Sequence, residues 1–231
     1  MALYARTVRH LKPAQIVSLL RRRILAYYGP ARTRAELRCR DGVWLQESIA
    51  PAARASAENE FRFLNVMKRY EGKVDWVSAE MTRLWRYNLH YFDYILEPNR
   101  SLDDIARLIS DWISSNPMGR GEAWEPYTVS LRIVNWVKLF LRDDLRGHIR
   151  RDWLISLHEQ ARWLEANLEH HLLGNHYVKN GKALLYVGVF FAGADADRWR
   201  SKGLRILLDQ AREQLLDDGG HFERSPSTTL S

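Results

Sequence analysis

The chain has 231 residues, 46% hydrophobic and 27% charged, a balance that fits a globular protein with a sizeable core, as one large domain or two small ones. Nothing in it approaches the run of about 18 apolar residues that a membrane span requires, and its single cysteine, Cys39, excludes an internal disulfide. The formal net charge of +7 points to an anionic partner, whether nucleic acid, anionic lipid or acidic polysaccharide, or to an ordinary basic surface.

The chain opens on MALYARTVRHLKPAQIVSLLRRRIL, which is basic but has no continuous apolar stretch of the kind that marks a secretory signal. On that reading the chain as it stands is cytoplasmic. A first amphipathic helix is expected over roughly 12–28. A short β-hairpin is expected near residues 36–49, turning at Asp41-Gly42.

From Pro51 onward the pattern is helix after helix. Apolar residues at i, i+3, i+4 and i+7 predict helices over Ala57–Tyr70, Glu80–Leu96, Thr128–Arg142, Ile149–Leu168, Asn175–Ala192 and Asp195–Leu216. Ser101 is a good N-cap for a further helix, LDDIARLISDWISSN, with acidic residues in its first turn and a stop at Pro117. No strand-like alternation is expected after residue 50. Short links favour antiparallel neighbours, so the expected class is all-α: stacked helical hairpins in a bundle, a solenoid or an α/α toroid.

Polar residues interrupt several apolar faces. Asn88 lies between Trp85 and Phe92, Arg132 and Asn135 sit a turn apart, and Asn135 lies between Leu131 and Leu139. A buried amide or guanidinium without partners costs about 1–3 kcal/mol. Each is therefore either satisfied internally or turned to a wet cleft. As a set, with Trp124 and Tyr127 nearby, they point to a polar cleft lined with aromatic rings. Nine tryptophans and ten tyrosines supply enough rings to stack on sugar faces or on bases. Basic and aromatic residues are not interleaved in one strip, however, and no nucleic-acid motif accompanies them, so no nucleic-acid partner is expected.

The stretch HHLLGNHYVKNGKALLYVGVFF, residues 170–191, places hydrogen-bonding groups at the head of an apolar helix. Asn175 follows Gly174 and fits an N-cap. From it, Lys179, Lys182 and Tyr186 fall at i+4, i+7 and i+11 on one face, with His176 and Asn180 on the neighbouring stripe. Such a face suits a carboxylate or sulfate ligand. Metal binding by His170, His171 and His176 is disfavoured, because adjacent helical histidines point apart and no carboxylate stands at ligand spacing. No cofactor is expected.

LWRYNLHYFDYI, WEPYTVSLRIVNW, GNHYVKNGKALLYVGVFF and DDGGHFERSP, in this order, closely resemble the N-terminal domain of the heparinase II/III family of polysaccharide lyases. The resemblance runs from about Trp85 to Pro226. It implies an incomplete α/α toroid over 51–226 that carries one wall of a substrate cleft, with residues 1–50 as a helix and short hairpin packed against it. In the family a β-sandwich domain follows, and the active site lies between the two. The implied chemistry is β-elimination at a uronic acid of an acidic polysaccharide. By resemblance, Asn175 neutralises the uronate carboxylate and His176 belongs to the same catalytic site. The implied substrate-binding residues are Asn88, His90, Trp124, Tyr127, Arg132, Asn135, Lys179, Asn180, His221, Glu223 and Arg224. Many lyases of this kind are periplasmic.

The tail departs from the family. Where ERSP is followed there by a Tyr-His pair serving as catalytic base or acid, this chain reads SPSTTLS over 225–231. The expectation is therefore a chain disarmed by truncation, with 227–231 as an aberrant tail, or one completed by a separately encoded β-sandwich domain. A non-catalytic module for acidic polysaccharide is one alternative. A toroidal glycoside hydrolase is another and would need two carboxylates flanking the bond; Asp217, Asp218 and Glu223 are available, but the 175–186 face offers none.

Overall fold

A computed structural model describes residues 37–40, 59–98, 100–145, 147–170 and 174–214. In chain order its elements are β1 (Arg38–Cys39), β2 (Glu60–Phe63), β3 (Val66–Arg69), α1 (Arg83–Tyr91), α2 (Leu102–Ser115), α3 (Pro126–Phe140), α4 (Arg151–Ala166), α5 (Gly174–Phe190), β4 (Phe191–Ala192) and α6 (Ala194–Gln214). The architecture is all-α, with two small antiparallel pairings. The expected helix over 12–28, the Asp41-Gly42 turn and the tail after Gln214 lie outside the described residues.

Two expectations are corrected near the start. Residues 60–69 form a β-hairpin where a helix over 57–70 was expected. Phe61 and Phe63 alternate inward, at 1% and 3% exposure, while their neighbours face out. Leu64 and Asn65, both at positive φ (52° and 61°), close the turn, as a two-residue turn with the right twist requires. The ring of Phe61 meets Tyr94 at 4.9 Å and that of Phe63 meets Trp85 at 5.1 Å. The Trp85 indole also donates to the Val66 carbonyl at 3.0 Å. The period-2 burial wins because helices are already in place to receive both rings. Nor does Arg38–Cys39 pair within its own neighbourhood; it runs antiparallel to Phe191–Ala192.

The third difference matters more for function. The expected continuous helix over 80–96 stops at Tyr91, because Phe92 adopts a left-handed conformation (φ 61°). A 3₁₀ turn, Asp93–Leu96, follows. A bulky residue in this region costs about 1–2 kcal/mol, and here burial offsets it. Phe92 has no exposure and lies flat on Trp76, ring centroids 5.5 Å apart, with Trp112 and Trp136 edge-on at 6.0 and 5.6 Å. The break turns Asp93 out of the helix and onto the face described below.

The remaining helices follow the sequence pattern closely. Ser101 caps α2 by accepting from the Asp104 amide at 3.1 Å, with Asp103 and Asp104 in the first turn. Pro126 opens α3, where its missing N–H costs nothing. Helix α3 is the centre of the molecule: it packs on α1, α4 and α5, and most of its residues are buried. Helix α5 pairs with α6 so closely that glycine is required. A Cβ on Gly203 would lie 2.5 Å from the Leu185 amide nitrogen, and one on Gly188 would lie 2.4 Å from that of Arg200. These glycines set the close approach of α5 and α6.

Every tryptophan among the described residues is buried. The indoles build the core instead of lining a cleft, and the exposed aromatic work falls to tyrosine.

Candidate functional site

The polar residues singled out in the sequence separate into two groups. The first is inside the core. Arg132 has no exposure. Its Nε donates to Gln160 Oε1 at 2.8 Å, and its Nη1 donates to the carbonyls of Ala123 (2.9 Å) and His90 (3.3 Å). Its guanidinium lies over the ring of Trp112, 3.9 Å from the centroid, so the cation faces π density as well as oxygen. Trp124, 4% exposed, donates to the Asn116 carbonyl at 3.1 Å and packs edge-on to Trp163. His90 accepts from the Trp112 indole through Nδ1 at 3.2 Å. Burial, with the Arg132 charge adding to it, pushes its pKa down to about 3, so it is a neutral core imidazole. The expectation that Arg132, Trp124 and His90 line a wet cleft is thus corrected: all three are buried and bonded to other residues of the core, with Arg132 Nη2 left without a hydrogen-bond partner. Asn88 spends its amide on the Leu84 carbonyl of its own helix, at 2.8 Å.

The second group does converge, on the face shared by α1, α3 and the first half of α5. The rings of Tyr127 and His176 lie 4.3 Å apart. The Asn175 side chain hydrogen-bonds the Tyr127 hydroxyl, which lowers that phenol's pKa against the stronger upward effects of burial and of the Glu169 charge; the net shift is upward. Tyr91 meets Tyr127 edge-on at 6.1 Å, and Tyr87 stacks on Tyr91 at 6.5 Å. A ladder of partly exposed rings, Tyr87–Tyr91–Tyr127–His176, therefore leads to Asn175. The Asn135 amide fixes one rung by donating to the Tyr91 carbonyl at 2.9 Å.

Beside this ladder opens a pocket of about 200 Å³, lined among others by Tyr91, Asp93, Tyr127, Asn135, Lys138 and Lys179. Lys179 is only 5% exposed. Burial, followed by the charges of Lys182 and Lys138, brings its pKa down to about 8. Lys182, which also lines the pocket, is shifted the same way by burial and by Lys138.

Asn180 holds the face together without reaching solvent. Its Oδ1 accepts from the Glu169 amide at 2.8 Å, and its Nδ2 donates to Ser130 Oγ (3.0 Å) and Glu169 Oε2 (3.2 Å). The other oxygen of Glu169 stands 3.4 Å from His176 Nδ1. One buried amide thus ties α3, α5 and the segment before α5 into a single unit.

Sequence reasoning missed Lys138, Ser130, Glu169 and Tyr91. Lys138 stands one turn after Asn135, so extending that stripe by three residues would have found it. Glu169 lies between helices, where periodicity carries no signal. His221, Glu223 and Arg224 lie outside the described residues. Among the described residues no group of three or more His, Cys, Asp or Glu side chains could hold a metal ion, and no helix is long and apolar enough to cross a membrane.

The family model for the heparinase II/III N-terminus matches residues 8–229, and the chain belongs to that family. It is similar to a heparin-sulfate lyase of Pedobacter heparinus, 31% identical over 127 residues that make up 51% of this chain and 19% of the relative. It is also similar to a heparin-sulfate lyase of Bacteroides stercoris, 25% identical over 147 residues, 52% of this chain and 22% of the relative. The chain thus spans about a fifth of the length of these relatives. No solved structure matches it.

Proposed function

We propose that this domain provides one wall of a binding and β-elimination site for a uronic-acid-containing polysaccharide. Asn175 is the residue that meets the uronate carboxylate. The observation that carries the reading is the position of Asn175: in the first turn of α5, next to His176, where the ring ladder ends on Tyr127. A helix N-terminus carries partial positive charge and free N–H groups, both of which favour an anion. Hydrogen bonds to the carboxylate spread its charge and so acidify the sugar C5–H. A base then removes that proton, the C4–O bond breaks, and an acid protonates the departing oxygen.

Tyr127 and His176 are proton-carrying groups beside Asn175. Because burial holds the Tyr127 phenol above its ordinary pKa, it stays protonated at neutral pH and suits the acid role better than the base role. His176, backed by the Glu169 carboxylate at 3.4 Å, is placed to take up a proton. Tyr87 and Tyr91 offer ring faces to successive sugars, and Asn135 and Asn180 hold the wall in shape. The helices from α1 to α6 are read as part of an incomplete α/α toroid whose concave side is this face. The names of the two lyases similar to the chain support an acidic polysaccharide as the ligand.

The test is binding to a uronate polymer and to the same polymer with its carboxylates reduced to alcohols. The 231-residue chain is expected to prefer the carboxylate form, and Asn175→Ala to remove about tenfold in affinity for that form alone, the loss of one charge-assisted hydrogen bond. Equal binding of the two polymers by the wild type would overturn the assignment. Formation of unsaturated uronate, followed in the ultraviolet, reads the chemistry in the same samples.

A further inference from the structure

We infer that Glu169 is a positioning residue: held in orientation by Asn180, it keeps the proton of the neutral His176 imidazole on Nδ1 and leaves the basic lone pair on Nε2. What His176 then does rests on the polysaccharide reading; the placement of its proton does not.

The hydrogen bonds behind His176 have directions set by atoms that have no choice. The Pro126 carbonyl can only accept, and the Ser130 hydroxyl donates to it at 2.8 Å. With its hydrogen spent, Ser130 Oγ accepts from Asn180 Nδ2 at 3.0 Å. The backbone amide of Glu169 can only donate, and it donates to Asn180 Oδ1 at 2.8 Å. Both bonds set the Asn180 amide the same way round, which resolves its two possible orientations. Its Nδ2 is therefore the atom that meets Glu169 Oε2 at 3.2 Å. Ser130 and Asn180 have no exposure and Glu169 has 4%, so the network is held in the core, where such bonds reinforce one another.

The second carboxylate oxygen, Oε1, stands 3.4 Å from His176 Nδ1. A carboxylate oxygen accepts and does not donate, so the ring nitrogen facing it carries the hydrogen. The bond made at one imidazole nitrogen decides the state of the other. His176 is half-exposed and packs on Tyr127 at 4.3 Å, so its ring spans from the buried carboxylate to the ladder. The charge of Glu169 reaches Tyr127 as well: after burial, it is the next cause holding that phenol above its ordinary pKa. One buried carboxylate thus conditions both proton-carrying groups beside Asn175. In the elimination, the Nε2 lone pair takes the sugar C5 proton. The C5–H electrons form the C4–C5 double bond, and the C4–O pair leaves with the oxygen. A ring protonated on Nε2 has no lone pair there to accept that proton.

Glu169→Gln tests the inference while keeping size and shape. A glutamine amide has one accepting oxygen and one donating nitrogen. Asn180 Nδ2, a donor, claims the oxygen, and the new amide N–H group is left facing His176 Nδ1. That nitrogen must then accept, and the proton moves to Nε2. The measurement is heteronuclear NMR of the imidazole nitrogens in the full chain, at a pH where the ring is neutral. His176→Gln identifies the His176 signals among the eight histidines.

The wild type is expected to show a protonated Nδ1 and a bare Nε2, and Glu169→Gln to show the two states exchanged, with circular dichroism unchanged. A wild-type ring protonated on Nε2 overturns the inference with no variant needed. A folded Glu169→Gln chain that keeps the hydrogen on Nδ1 overturns it too, because something other than Glu169 then sets the tautomer. Binding to the uronate polymer and to its carboxylate-reduced form is measured on the same wild-type samples. The expected tautomers with no preference for the uronate form leave Glu169 in its role and sink the polysaccharide reading.

Discussion

Arg132 and Lys179 are both cations withdrawn from water, at 0% and 5% exposure, on helices that touch along their length. Their surroundings differ in every other respect. Arg132 meets three neutral oxygen acceptors and the face of Trp112, while its Nη2 has no hydrogen-bond partner and burial pulls its pKa well below the ordinary value. Lys179 faces two further lysines across a pocket. Arg132 is enclosed by the core on every side, whereas Lys179 borders a pocket shared with two other cations. The contrast separates architecture from function more sharply than burial alone.

The largest effect is expected where the cation is enclosed in the core. Arg132→Ala removes the guanidinium and leaves Gln160 and the carbonyls of Ala123 and His90 without their donor, besides opening a cavity next to Trp112. Each stranded buried group costs about 1–3 kcal/mol and the cavity adds to that, so a loss of about 3 kcal/mol or more is expected. Urea denaturation followed by circular dichroism measures it. A loss below about 1 kcal/mol, the ordinary scale of a point mutation, would show that the guanidinium does not hold the core and would dissolve the comparison.

Lys179→Met is expected to act with the opposite sign. The lysine pKa is about 8 in the fold against an ordinary 10.5. Below pH 8 the amine is protonated in folded and unfolded chains alike, and the fold bears the full cost of holding the charge. Between about 8 and 10.5 the folded chain sheds the proton first and the cost declines; above 10.5 it is gone. The variant should therefore be more stable than wild type by about 1–2 kcal/mol at pH 7, with the gap closing as the pH rises through that window. Lys138, Lys182, Asp93, Tyr91 and Tyr127 face the same pocket, so Lys182, also shifted downward, will broaden the transition. Midpoints of urea denaturation at pH 7 and above pH 10 decide it. A variant less stable than wild type at pH 7 would mean that Lys179 is a structural cation like Arg132.

Much of this was legible in the residues. The helices from Ser101 onward are where apolar periodicity, the Ser101 cap and the Pro126 start place them, because each depends on residues within a few turns. The Asn175 region was legible for the same reason: a polar face at a helix head is a local pattern. The hairpin at 60–69 was not, although Glu60–Phe61–Arg62–Phe63 alternates, because four residues of alternation cannot outweigh an apolar-rich window when the receiving rings, Trp85 and Tyr94, lie 22 and 33 residues away. Arg132 was misread on the same principle. Its partners stand 9, 28 and 42 residues from it, and no spacing rule sees a buried guanidinium's acceptors at that range. A polar break in an apolar face therefore says that a group must be satisfied, and leaves open whether water, ligand or core will do it.

Asn88 is the smallest test of that statement. It is a polar break of the same appearance as Arg132, between Trp85 and Phe92 in sequence, yet its amide bonds only the Leu84 carbonyl one turn back, at 2.8 Å. Such a bond duplicates what the helix already provides, since that carbonyl also accepts from a backbone amide in a regular α-helix. Replacing it strands no partner and opens no core cavity, and alanine is the better helix former by a few tenths of a kcal/mol. Asn88→Ala is therefore expected to change stability by less than about 0.5 kcal/mol and to leave polymer affinity unchanged. Neither the ring ladder nor the lysine pocket uses this amide. A tenfold loss of affinity with stability intact would restore Asn88 to the site and extend the substrate wall across α1. A loss of more than about 1 kcal/mol would instead mean that this amide answers to the core, as Arg132 does.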